Sequence, residues 1–242
     1  MRNTQPKRLD DLCAEWDGVC EKREQVIESG KDISLLSVTA PWLLGSILGE
    51  SPKTVLDAGC GTGYVSSLVA PHVDSCMGID ASKKSISIAR RKYGCPNLDF
   101  QVSTIAGFES TQQFDLCLSN MALTSDPLWV ESIARIYRLL KPHGALMVMI
   151  AHPCFWPRYW GFQNEKWFNY NDEIYIEHDF SISLVKSLGK TTYIHRPLTQ
   201  YFEGITSAGF QIEKIEEPYP VGPLPEGYSY PYPRFLFLQC RK

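Results

Sequence analysis

Between residues 9 and 27 the apolar side chains Leu9, Leu12, Cys13, Trp16, Val19, Cys20, Val26 and Ile27 recur in steps of three and four, a spacing that predicts an amphipathic helix. Gly30 follows as its stop. A second apolar helix is predicted over 35–48, bent or split by Pro41. The rhythm then changes to short apolar runs alternating with helical stretches, the pattern of βαβ units and a parallel sheet. Strands are predicted at 54–57, 75–79, 98–102, 114–119 and 145–151, and helices at 64–70, 83–92 and 128–140. Lys141-Pro142-His143-Gly144 reads as a turn feeding the fifth strand. A last helix at 198–208, stopped by Gly209, leads to strands at 210–215 and 234–240.

Two stretches break the alternation. Residues 153–197 are crowded with aromatic side chains and end in a predicted β-ribbon at 174–184 and 191–195. Residues 217–233 carry Pro218, Pro220, Pro223, Pro225, Pro231 and Pro233 and are predicted to be an irregular loop. The expected organisation is an N-terminal helical cap (1–50), a core (51–152), an inserted lid (153–197) and a C-terminal completion of the sheet (198–242).

The stretch Thr54-Val55-Leu56-Asp57-Ala58-Gly59-Cys60-Gly61-Thr62-Gly63 runs from a buried strand into a glycine-rich turn and a helix. Glycines serve where backbone turns tightly or must approach a ligand, and the helix start offers free N–H groups. A dinucleotide fingerprint requires G-x-G-x-x-G; the frame from Gly59 meets Tyr64 and the frame from Gly61 meets Ser66, so neither fits. Asp80 ends the second strand about twenty residues on, where its carboxylate can accept hydrogen bonds from a ribose diol.

An acidic strand end followed by G-x-G-x-G resembles the first motif of the class I methyltransferases that use S-adenosylmethionine (SAM). Arg138-Leu139-Leu140-Lys141-Pro142-His143-Gly144 is similar to that family's post-motif segment, and Ala208-Gly209-Phe210 with 234–240 resembles its closing helix and strand pair. The resemblance implies a Rossmann-like α/β fold: a seven-stranded, mostly parallel sheet with an antiparallel last strand, N-terminal helices, and an aromatic-rich α/β insertion after the fifth strand. It implies SAM as cofactor and S-adenosylhomocysteine as product. For cofactor contacts it implies Asp57, Gly59, Cys60, Gly61 and Gly63, then Asp80 with Ala81, and Asn120 with Met121 after the fourth strand. Where the family commonly has an acid after the third strand this chain has Ser103-Thr104-Ile105-Ala106, so Ser103, Thr104 and Ile105 are expected to meet the adenine through a hydroxyl or the backbone.

For the chemistry, His152 follows the fifth strand directly and is a candidate base, with His195 the second candidate. Trp156, Tyr159, Trp160, Trp167, Tyr170, Arg196 and Tyr201 are candidates for binding the acceptor, Arg196 through its planar fork or, alternatively, as an anchor for the insertion. The helix carrying Trp16 either packs as an ordinary apolar stripe or folds over the cofactor.

Composition narrows the partner. A formal net charge of −3 with dispersed basic residues argues against a nucleic-acid footprint, leaving a small-molecule acceptor, methylated on oxygen or nitrogen; the resemblance points to secondary metabolism. A SAM-binding protein of the same fold that does not methylate is the alternative. The N-terminus lacks an apolar signal run and no segment is long enough to span a membrane, so a cytoplasmic enzyme is expected. The eight cysteines show no C-x-x-C pair and no metal-ligand spacing, so neither disulfides nor a metal are expected. Oligomeric state is left open.

Overall fold

The computed structural model describes residues 1–242. The chain opens on a short strand, β1 (Arg2–Thr4), which the sequence pattern does not announce, and continues into α1 (Leu9–Glu28). A π-helical turn, Ser34–Thr39, runs straight into α2 (Ala40–Glu50), and its cause is Pro41. Without an N–H, Pro41 cannot donate to the carbonyl of Ser37, which accepts instead from the N–H of Val221 at 2.7 Å. Then come β2 (Thr54–Ala58), α3 (Tyr64–Val69), β3 (Ser75–Asp80), α4 (Lys83–Tyr93), β4 (Leu98–Val102), β5 (Phe114–Asn120), α5 (Trp129–Leu139) and β6 (Leu140–Ala151). The insertion holds α6 (Trp156–Trp160), β7 (Ile174–Ile182) and β8 (Val185–His195); α7 (Leu198–Ser207), β9 (Gln211–Glu216) and β10 (Phe235–Arg241) close the chain.

Seven strands form one sheet in the order β4-β3-β2-β5-β6-β10-β9. β10 runs antiparallel to both its neighbours, whereas the five strands from β2 to β6 pair in parallel. Alternation along the central strands feeds two cores. Val55, Leu116, Leu118, Met147, Met149 and Phe237 join one, and Leu56, Cys117, Leu146, Val148, Ile150 and Leu238 join the other. Helices cover both faces, as a parallel sheet requires. The order reverses between β2 and β5, which places the open crevice at the ends of those two strands.

One expectation is corrected. Residues 141–144 are not a turn before the fifth strand but its beginning. β6 starts at Leu140, opposite Phe114, and its register against β5 shifts at once, with His143 in the left-handed region at φ 63°. The aromatic run of the expected α/β insertion contains the helix α6, capped by Gly161 at φ 80°. The ribbon β7–β8 takes β1 as a third strand, Asn3 opposite Ile176, and so forms a separate sheet bound to the chain start. No helix is long and apolar enough to cross a membrane.

Candidate active site

A cavity of about 260 Å³ opens at the reversal point, far larger than a few trapped waters need. Its floor is the glycine turn after β2 with the ends of β3, β4 and β5. Its roof is α1, whose stripe Leu9, Leu12, Cys13, Trp16, Cys20 and Arg23 faces it, and the β7–β8 ribbon. The helix that the sequence left between packing and covering does both: Leu12 and Cys20 are buried while lining the cavity.

Each glycine of the turn has its own reason. At Gly59 (φ 84°) an added β-carbon would overlap that of Ala122, so the turn presses against the chain leaving β5. At Gly63 (φ 88°) it would strike the Phe100 ring, which seats α3 against the sheet. Gly61 (φ 55°) is different, because the nearest atom to its β-position is Arg23 Nη1 at 3.9 Å and the backbone stands bare toward the cavity. Asp80 Oδ2 accepts from the Gly61 N–H at 2.9 Å and Oδ1 from the Ser82 N–H at 2.8 Å. These bonds aim its carboxylate along the cavity wall. Burial raises its pKa, opposed by the two N–H donors.

Asn120 Oδ1 is buried at the same end with no partner. Met121 takes the left-handed conformation at φ 64° and donates its N–H to Met149 at 2.8 Å, turning the chain between the two ends of the cavity. Ala81, Ser103, Thr104 and Ile105 complete this wall. A carboxylate suited to a diol, an unpaired amide oxygen and uncovered backbone together fit an adenosyl cofactor.

Three of the expected cofactor residues lie beneath the wall. Asp57 is buried under the turn; its Oδ2 accepts from Ser66 Oγ at 2.5 Å, and its Oδ1 has no partner. Burial, reinforced by the charge of Asp80, pushes this carboxyl up to about 7. Cys60 turns its sulfur toward Gly78, and Gly63 meets Phe100. Thr62, which the sequence did not single out, does line the cavity, and its hydroxyl donates to the buried Glu24 of α1, which also takes Lys92 and Tyr93 of α4.

At the far end the structure brings Trp156, Tyr159 and Trp160 of the expected acceptor set to the cavity and leaves the others outside. His152 Nδ1 accepts from the Cys154 N–H at 3.2 Å, so Nε2 carries the proton and donates to Glu217 at 3.0 Å. His195 is wholly buried, with Nε2 donating to the Tyr170 carbonyl at 3.0 Å, and burial lowers the pKa of both imidazoles. Tyr170 OH accepts from the Leu198 N–H, Trp167 stacks on Phe162, and Tyr201 packs against Trp129. Arg196 pins the insertion to the loop after β5, donating to Glu173 and to the carbonyls of Leu123 and Asp126. Their partners hold these six side chains in the interface between insertion and core.

The residues that sequence reasoning missed are on the ribbon. His178, Phe180 and Tyr193 line the cavity. The signal was available: Ile174, Ile176, His178, Phe180 and Ile182 alternate along β7 and fall on one face. Trp160 meets His178 at a tilt of 54° with ring centroids 4.3 Å apart, and Trp16 meets Phe180 edge-on at 5.1 Å.

Residues 55–144 match the family model described as a methyltransferase domain. The uncharacterized methyltransferase YcgJ of Bacillus subtilis (strain 168) is 25% identical over 130 residues, covering 52% of this chain and 49% of that protein. The chain spans about half or less of the length of the first curated relatives it matches. A solved structure from Listeria monocytogenes, provisionally assigned as an S-adenosylmethionine-dependent methyltransferase, superposes with a TM-score of 0.67 at 26% identity, covering 84% of this chain and 97% of that one. The DhpI-SAM-HEP complex shares the fold at a TM-score of 0.68 and 17% identity, covering 99% and 100%. The glycine turn and Asp80 fall inside residues 55–144, so this segment is a methyltransferase domain, carried on the Rossmann-like sheet that the solved SAM-dependent methyltransferases share, and SAM is its cofactor.

Proposed function

We propose that this protein moves the methyl group of SAM onto a small acceptor, on oxygen or nitrogen, enclosed between the glycine turn and the aromatic insertion. The observation that carries this reading is the continuity of one cavity from Asp80, Gly61 and Asn120 at one end to Trp156, Trp160 and Tyr193 at the other. SAM supplies a methyl carbon made electrophilic by a sulfonium. In this reading Asp80 receives the ribose hydroxyls, Gly59 and Gly61 leave room for the methionine portion, and Ser103, Thr104 and Ile105 border the base. Asp57 acts from beneath, holding Ser66 and the start of α3 in place.

The acceptor's share of the work is positioning and dryness. Displacement at a methyl carbon gains most from an aligned nucleophile and from excluded water, which the roof of α1 and the ribbon provides. An enclosed aromatic chamber in a protein of net charge −3 suits a compact molecule rather than a nucleic acid.

Calorimetry with S-adenosylhomocysteine, followed by its release from SAM across a panel of small acceptors, tests the proposal. Expected are saturable cofactor binding and turnover of at least one small acceptor. Binding without release of S-adenosylhomocysteine for any acceptor class would instead support a SAM-binding protein that does not methylate.

A further inference from the structure

The ribbon end of the cavity is lined by polar atoms that no protein group satisfies. Trp160 Nε1, His178 Nδ1 and Tyr193 OH are each buried without a hydrogen-bond partner, and all three residues line the same chamber. They come from three elements: α6 contributes the indole, while the imidazole and the phenol come from the paired strands β7 and β8, where Ile176 stands opposite Tyr193 and His178 opposite Thr191. Buried polar groups without partners are costly, and three of them on one cavity wall call for a ligand that satisfies them.

The charged side chains that line the cavity are Arg23, Asp32, Asp80 and Asp126, and the one cation among them, Arg23, stands beside Asp32. The cations packed around it are already engaged: Arg196 holds Glu173 and the carbonyls of Leu123 and Asp126, Lys7 holds Glu15, Glu177 and Thr192 Oγ1, and Arg234 lies 3.9 Å over the Tyr159 ring while donating to Tyr228 OH and Ser229 O. Arg23, at the cofactor end, faces Asp32 at 3.7 Å. Aromatic rings fill the rest of the wall, with the Trp156 and Tyr193 ring centroids 6.1 Å apart and those of Trp160 and His178 4.3 Å apart.

We infer that this chamber takes an uncharged, planar acceptor bearing a hydroxyl or ring N–H, with His178 receiving the proton released on methylation and Trp160 and Tyr193 fixing the ring's orientation. The inference rests on the methyltransferase reading and assigns that site its substrate class. As the acceptor's O–H or N–H bond breaks, its proton passes to the imidazole lone pair and its electrons form the bond to the methyl carbon. The C–S pair departs with sulfur as a neutral thioether, and the imidazolium later returns the proton to water. Burial lowers the His178 pKa to about 4, with Asp179 raising it and the Met1 amino group lowering it further, so the imidazole of the free chamber is neutral but a weak base, and it takes the proton only as positive charge builds on the acceptor atom during methyl transfer. A carboxylated acceptor would lose its hydration here and meet no cation.

Binding to the protein loaded with S-adenosylhomocysteine separates this proposal from the one beneath it. The probes are 8-hydroxyquinoline and catechol, each beside its carboxylated counterpart, read by tryptophan fluorescence and calorimetry. The uncharged probes should bind about tenfold or more tightly than their carboxylated partners. Tyr193→Phe, which removes only the hydroxyl, should weaken that binding about fivefold, with S-adenosylhomocysteine affinity unchanged. His178→Asn should cut turnover of a bound probe about a hundredfold or more while leaving cofactor affinity intact.

Carboxylated probes binding as well as neutral ones, no binding of neutral probes to the loaded protein, or a His178→Asn enzyme of undiminished turnover would each overturn the inference. Failure of S-adenosylhomocysteine itself to bind would overturn the methyltransferase reading on which it rests. If His178→Asn does not fold, the Tyr193→Phe comparison decides.

Discussion

Arg196 Nε donates to Glu173 Oε2 at 2.6 Å, from a side chain with no exposed surface. Its other nitrogens donate to the carbonyls of Leu123 and Asp126 at 2.9 and 2.8 Å, and its guanidinium lies 5.4 Å over the Trp129 ring. A lysine cannot reproduce a fork that meets three acceptors in one plane. Arg196→Lys should therefore lose about 3 kcal/mol of stability in denaturant unfolding, roughly 6–12 °C in Tm. A residue gripping the acceptor would show a raised KM with stability retained, and that result would remove Arg196 from the structural role.

Gly59 and Ala122 make a second test, of the crevice itself. Gly59→Ala should weaken S-adenosylhomocysteine binding by about tenfold or more, because both the φ of 84° and the overlap with Ala122 oppose a β-carbon. Combining it with Ala122→Gly should recover the overlap part and leave the conformational part, a penalty of about 1–2 kcal/mol. Calorimetry on the four proteins measures the coupling. Strictly additive losses would show that the two chains do not bear on each other.

Asp80 is the carboxylate assigned to the ribose hydroxyls. Asp80→Asn keeps the shape but weakens acceptance from Gly61 N–H, Ser82 N–H and the diol alike. Cofactor affinity should drop about ten- to a hundredfold in calorimetry. An unchanged affinity would move the ribose elsewhere.

Asp57 yields a pH dependence. Its folded-state pKa, about 7, lies above the ordinary carboxylate value, so protonation favours the folded protein. Its cost to stability is absent below about pH 4, grows as the unfolded chain ionises, and is complete above pH 7. Asp57→Asn should raise Tm relative to the parent protein at pH 8 by several degrees, on the order of a few kcal/mol, and by much less at pH 4.5. A gain that does not shrink on acidification would contradict the assignment.

The glycine turn was legible in the sequence because its determinants are local. Positive φ at Gly59, Gly61 and Gly63 is a property of single residues, and a strand with its following turn is one continuous segment. The sheet was legible for a similar reason, since alternation along β2, β5, β6 and β10 directs neighbours to opposite cores. The acceptor end depends on how the ribbon folds back over the strand tips. His152 and His195 looked chemical in isolation, yet their surroundings are Glu217 and the Tyr170 carbonyl, 65 and 25 residues away along the chain. His178 sits in a predicted ribbon among isoleucines and reads as packing until the second sheet is placed. β1 was invisible because three polar-flanked residues carry no periodicity, and only pairing with β7 makes them a strand.

The missing N–H of Pro41 reaches well beyond α2. The carbonyl it leaves free tethers Val221, and Tyr228 of the same proline-rich loop meets Ser34 Oγ at 3.3 Å and receives a hydrogen bond from Arg234, which in turn covers the Tyr159 ring. Ser34 and Tyr159 both line the cavity. The loop thus acts as an external brace between two residues of the chamber, and its prolines restrict the backbone freedom of that brace.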